Sequence, residues 1–123
     1  MNQQYANLMN HRQCHLTTYD RQNGGAHDDE MYFVIEDNTL FMVSWGGGQT
    51  TWVQNILRNP EVSLQVGNQK LAGMARVITD EAQATRIREM LASRYENWQE
   101  GEDLSSRMRA GLVVAVDLVP NVH

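Results

Sequence analysis

Val62, Leu64 and Val66 alternate with polar neighbours, the period-two pattern of a strand with one face in the core, and Gly67-Asn68 then marks a turn into a returning run from Lys70 to Ile78. The pattern predicts a hairpin. An earlier hairpin is predicted where two apolar runs, Met31 to Glu36 and Thr39 to Trp45, flank Asp37-Asn38, a pair that tolerates the positive φ of a tight turn. Residues 13 to 19, Gln-Cys-His-Leu-Thr-Thr-Tyr, are β-branched and aromatic enough for a first strand ending near Tyr19, followed by Asp20-Arg21-Gln22-Asn23-Gly24-Gly25, a loop by composition. The acidic run His27-Asp28-Asp29-Glu30 reads as a solvated loop rather than a site for a hard cation. Leu112 to Val119 is short and almost continuously apolar, as expected of a strand buried on both faces.

Between the hairpins the period changes. Gly46-Gly47-Gly48 breaks the strand pattern, and Thr50 or Thr51 can cap a short helix carrying Trp52, Val53, Ile56 and Leu57 on one stripe until Asn59-Pro60 stops it. Thr79-Asp80-Glu81 supplies an N-cap and first-turn acids for a longer helix, in which Ala84, Ile87, Met90, Leu91 and Tyr95 follow i, i+3, i+4 spacing to about Gln99. The expected architecture is mainly β, six strands plus two helices. Closing such a sheet into a small barrel removes its exposed edges. The chain of 123 residues is long enough for one core and too short for two, so a single domain over 1–123 is expected, with 1–12 as an N-terminal arm. The apolar last strand and the three tryptophans favour pairing with a second copy, a homodimer.

Charge narrows the function. A net charge of -5, with ten basic residues scattered along the chain, gives no footprint for a phosphate backbone and argues against nucleic acid. No run approaches the ~18 apolar residues of a membrane span, and Met1 to Asn10 lacks the apolar core of a signal peptide, so a cytoplasmic protein is expected. The single Cys14 excludes an internal disulfide. His11, Cys14 and His15 have the spacing of metal ligands on a helical turn, but in a strand Cys14 and His15 face opposite ways, so no metal site is expected.

A glycine run ahead of a capped helix presents bare N–H groups and a positive dipole end, which suits a phosphate or a ring carbonyl. Trp52 could wall a planar ring and Ser44 could donate to a ring heteroatom; equally, Trp52 could pack its helix onto the barrel and Asn55 could fasten a neighbouring segment through its amide. Tyr95 and Trp98, near the end of the longer helix, could line a pocket or belong to the core.

The order of Leu16-Thr17-Thr18, Asp20-Arg21-Gln22-Asn23-Gly24 and Met31-Tyr32-Phe33 resembles the deazaflavin-dependent nitroreductase family. So does the block from Ser44 through Gly46–Gly48 and Thr51-Trp52-Val53-Gln54-Asn55-Ile56-Leu57-Arg58-Asn59-Pro60, which is similar to that family's Trp-x-x-Asn-Leu-x-x-Asn-Pro. The resemblance spans residues 13 to 120 and implies a split β-barrel of the FMN-binding, pyridoxamine-phosphate-oxidase-like type. It further implies a homodimer holding coenzyme F-420, a deazaflavin, or FMN. By the same resemblance Arg21, Gln22, Asn23, Gly24 and His27 stand at the cofactor's phosphate loop, Ser44, Trp45, Gly46, Trp52 and Asn55 at its ring, and Tyr32, Tyr95 and Trp98 at a substrate pocket. No catalytic acid or base is implied, because the cofactor carries the chemistry.

The phosphate loop departs from the family pattern, Gly-Arg-Lys/Arg-Ser/Thr-Gly followed by another Arg. Here Asp20, Gln22 and His27 leave Arg21 as the one permanent cation, and Asp28, Asp29 and Glu30 follow it. Carboxylates near an anionic tail cost about 1 kcal/mol per contact at ~4 Å even in water. Two functions are therefore expected: an oxidoreductase passing a hydride to a quinone, nitro compound or enone, or a non-catalytic binding protein for a small planar or hydrophobic ligand.

Overall fold

The computed structural model describes residues 5–20 and 25–119. Strands β1 (Cys14–Tyr19), β2 (Ala26–Met31), β3 (Val34–Glu36) and β4 (Thr39–Ser44) lead into helix α1 (Thr51–Arg58). Then come β5 (Glu61–Val66), β6 (Gln69–Val77), α2 (Glu81–Tyr95), α3 (Ser106–Ala110) and β7 (Leu112–Val119), with 3-10 turns at Ala6–Asn10 and Gly47–Gln49. The strands form one sheet in the order β2-β1-β5-β6-β7-β4-β3, every neighbouring pair antiparallel.

The hairpins fall where the turn chemistry put them. Asp37 and Gly67 take φ of 56° and 60° in their turns. A Cβ on Gly67 would lie 2.5 Å from the His11 ring, so glycine serves both the turn and the close approach.

The sheet curls around an inner cluster in which Leu16, Leu64, Ala75, Val116, Leu40 and Met42 meet across successive strands. Trp52, Val53 and Ile56 of α1 fill one side of this cluster, and Tyr5 and Leu8 of the N-terminal arm join it. A second cluster lies on the opposite face of β4 and β7, where Phe41, Val43, Val113 and Ala115 pack against Ala84, Ile87 and Leu91 of α2. Strand β7 is thereby buried on both faces, as its continuous apolar run required. Asp80 caps α2 by accepting from the Gln83 N–H at 3.1 Å.

Several expectations are corrected. Seven strands are present, not six, because the acidic run expected to be a loop is strand β2. Its alternation is real but polar: Asp28 and Glu30 point outward, where Thr17 donates to Asp28 at 2.7 Å and His15 meets Glu30 at 3.0 Å. Met31 closes β2, so the next strand starts at Val34 rather than Met31. The hydrogen-bonded ladder does not close among the described residues; β2 and β3 are its edges, and charge on β2 discourages edge-to-edge pairing. Helix α2 ends at Tyr95, not Gln99, and a third helix, α3, too short to show a period, follows. Leu57 is 62% exposed and lies off the buried stripe of α1.

Candidate functional site

The chain from β4 to α1 is held by its own side chains. Ser44 is buried and donates from Oγ to the Gly47 carbonyl at 2.8 Å, with Thr50 Oγ1 3.0 Å away. Thr50 occupies the N-cap position of α1, yet its hydroxyl turns to this corner instead of the helix N–H groups. Gln54 donates to the Gly48 carbonyl. A Cβ on Gly46 would sit 2.7 Å from Thr50 Cγ2, and Gly47 has a φ of 66°, so the glycines are required by this corner.

Beside the corner opens a groove of about 670 Å³, bounded by β2, the β4–α1 corner, the end of α2 and α3. That is the size of small-molecule sites. His27, Tyr32, Ser44, Trp45, Gly46, Trp52 and Tyr95 all line it, drawn together from four separate segments. Asn55 does not reach it. This side chain is buried behind the groove and donates to Thr18 Oγ1 of β1 at 3.0 Å. Trp98 also lies elsewhere, donating from its indole N–H to the Glu102 carbonyl at 2.9 Å and lining a second groove with Met9 and Met90. Arg21, Gln22, Asn23 and Gly24 fall outside the described residues.

One wall is a rigid aromatic pair. Tyr32 and Tyr95 stack at 4.3 Å with an interplanar angle of 10°, and the Arg12 guanidinium lies 5.2 Å from the Tyr95 ring centre. The Tyr95 hydroxyl accepts from the Phe33 N–H at 3.1 Å, and its own proton faces the Arg12 carbonyl at 2.8 Å. Burial pushes the Tyr95 phenol up from its ordinary value, so it stays neutral at physiological pH. The two indoles differ: Trp52 is 5% exposed and mostly core, whereas Trp45 is 39% exposed.

Charge in the groove comes from His27 and Asp29 of β2, which the sequence placed beside the phosphate loop, and from Glu96 and Arg107, which it did not single out. Asp29 shares the inward face of β2 with His27, and its Oδ2 lies 3.1 Å from His27 Nε2. Beyond this ionic contact Asp29 Oδ2, shielded from solvent, makes no hydrogen bond among the described residues. On the other side Arg107 of α3 donates from Nε to Glu96 Oε2 at 3.0 Å, with its Cζ 4.5 Å from the Trp45 ring centre. For Asp29 the signal that it faces inward was the i, i+2 spacing of His27, Asp29 and Met31. Nothing in five residues of α3 announced Arg107.

The residues fit a flat, polar-edged ring: an aromatic wall, an exposed indole and a shielded acceptor oxygen whose one contact is ionic, to His27. No group of three His, Cys, Asp or Glu side chains able to hold a metal occurs among the described residues. Cys14 faces the core, where burial pushes its thiol up to about 12, too high to act as a nucleophile. No helix among the described residues is long and apolar enough to cross a membrane.

Solved structures share this fold. A provisionally assigned pyridoxamine 5'-phosphate oxidase from Listeria innocua is 26% identical, with a TM-score of 0.71 over 95% of this chain and 90% of that one. An F420-H2 dependent reductase (FDR-A) is 24% identical, with a TM-score of 0.66 over 85% of this chain and 93% of that one. An F420 reductase is 17% identical, with a TM-score of 0.70 over 98% and 97%. No curated protein matches the chain. The neighbours share the split-barrel fold, and the family that the chain matches supports coenzyme F-420 as cofactor and reductase-type function. Residues 3–118 match the family described as F420H(2)-dependent quinone reductase, and the chain belongs to that family.

Proposed function

We propose that the chain holds the ring of a deazaflavin or flavin in this groove and passes a hydride to a small organic acceptor, a quinone, nitro compound or enone. The observation that carries the reading is the open slot of about 670 Å³ between the exposed Trp45 and the Tyr32–Tyr95 stack, in a chain of this family. The bound cofactor supplies the hydride; the protein supplies position and dryness. Trp45 and the tyrosine pair offer flat apolar faces, and Asp29 Oδ2 is an acceptor for a ring N–H. Ser44, spent on Gly47, holds the corner rather than the ligand.

Purified protein should quench the fluorescence of coenzyme F-420 or FMN with micromolar affinity, and Trp45→Ala should weaken this about tenfold. Absence of binding by either cofactor would remove the reading. Asp29 and Glu96 in the groove favour a second one, a binding protein without turnover. Steady consumption of reduced cofactor in the presence of a quinone decides against it.

Pairing with a second copy is supported by Met74 and Val119, 44% and 52% exposed on the outward face of adjoining strands. A cytoplasmic setting is supported by the buried, unpaired thiol of Cys14.

A further inference from the structure

Among the described residues lining the groove, Arg107 is the one permanent cation. Its surroundings fix it in place. Met108, its neighbour in α3, is 1% exposed and anchors the helix in the second core cluster, and Ser105 caps the helix by accepting from the Met108 N–H at 3.3 Å. The guanidinium lies over the Trp45 ring at 4.5 Å and spends its Nε–H on Glu96 Oε2 at 3.0 Å. Its Nη edge carries no hydrogen bond among the described residues. A planar guanidinium stacked on one face and tied at one edge presents the remaining fork ready for two parallel bonds to an oxyanion.

The neighbouring charges limit what that oxyanion can be. Glu96 already neutralises part of the cation, and Asp29 faces the same space, so each further negative charge brought to this spot is repelled and one anionic group is favoured over several. We propose that Arg107 is a specificity-determining residue, the counter-ion for one oxyanion, a phosphate monoester or a carboxylate, carried by the planar ligand of this groove. The inference rests on the reading of the groove as a ring site.

Two arms locate the oxyanion on cofactor or acceptor. In the first, FMN and riboflavin, which share a ring and differ by a phosphate, are titrated into wild type, Arg107→Lys and Arg107→Gln. A phosphate held by Arg107 gives wild type a preference for FMN of about tenfold or more, reduced in Arg107→Lys and lost in Arg107→Gln. Riboflavin still binds all three, its affinity changing far less than that of FMN, which a collapsed groove would not allow. In the second arm, a carboxylated naphthoquinone and its neutral parent are compared as acceptors. A carboxylate held by Arg107 gives the charged quinone a KM about tenfold lower, an advantage that Arg107→Gln removes with kcat little changed. If neither arm shows an anion preference in wild type, or if Arg107→Gln retains it, the inference is overturned while the ring site stands. If none of FMN, riboflavin and coenzyme F-420 binds wild type, the ring site and the inference fall together.

Discussion

Asn55 of α1 donates from Nδ2 to Thr18 Oγ1 of β1 at 3.0 Å, and both side chains are shielded from solvent at 7% and 0% exposure. This one bond fixes the helix that follows the glycine corner to the strand beside β2, so the two sides of the groove are held in register through it. Truncation by Asn55→Ala leaves a buried hydroxyl short of a partner and should cost about 1–3 kcal/mol. The double replacement Asn55→Leu with Thr18→Val should recover part of that loss. Urea denaturation of these two variants and of the singles Asn55→Leu and Thr18→Val checks both outcomes, and strictly additive losses in the double variant would contradict the coupling.

The two groove tryptophans should separate stability from binding. Trp52 is part of the inner cluster, and Trp52→Ala should cost about 3–5 kcal/mol in unfolding free energy. Trp45→Ala should leave the melting temperature nearly unchanged and weaken ring binding. Thermal unfolding alongside a fluorescence titration reads both, and a large loss of stability in Trp45→Ala would refute the division.

Gly46 is a steric requirement that a partner change can relieve. Gly46→Ala brings its Cβ to 2.7 Å from Thr50 Cγ2 and should destabilise the corner by about 1–3 kcal/mol. Adding Thr50→Ser deletes that methyl while keeping the hydroxyl near Ser44, and should restore most of the loss. Chemical denaturation of single and double variants checks it.

The edge ladder of β1 and β2 should respond to pH. The hydrogen bond to Glu30, followed by the Asp28 carboxylate, raises the His15 pKa above its ordinary 6.5. The folded state therefore holds its proton more tightly than the unfolded chain does. The resulting stabilisation is complete below the unfolded value and is lost as pH rises through the raised one. His15→Gln should lower the melting temperature at about pH 5.5 and make no difference at about pH 9. The opposite order would contradict the sign. Asp28 behaves conversely: the Thr17 hydroxyl and His15 hold its carboxyl below the usual range, so its contribution is lost only as pH falls through that depressed value.

Strands with an apolar period were legible because burial wrote it: Val62, Leu64 and Val66 had to face one side, and Val113 to Val116 had to be covered on two. Strand β2 was not, because an edge strand facing solvent and a polar groove has no apolar face to display, and its charges read as loop. The groove was half legible. Trp45, Trp52 and Gly46 lie in a contiguous block, whereas Arg107 and Glu96 reach the site through tertiary packing of α2 and α3, which leaves no local trace. Asn55 and Trp98 show the converse, residues of the right type at the right spacing whose side chains turn to Thr18 and Glu102 instead.

The most direct test of the groove as a ring site is a crystal structure grown with saturating FMN or coenzyme F-420. The account predicts the ring seated between Trp45 and the Tyr32–Tyr95 stack, with Asp29 within hydrogen-bond reach of its polar edge. A ring bound at any other surface, with the slot beside Trp45 left empty of ligand, would contradict it.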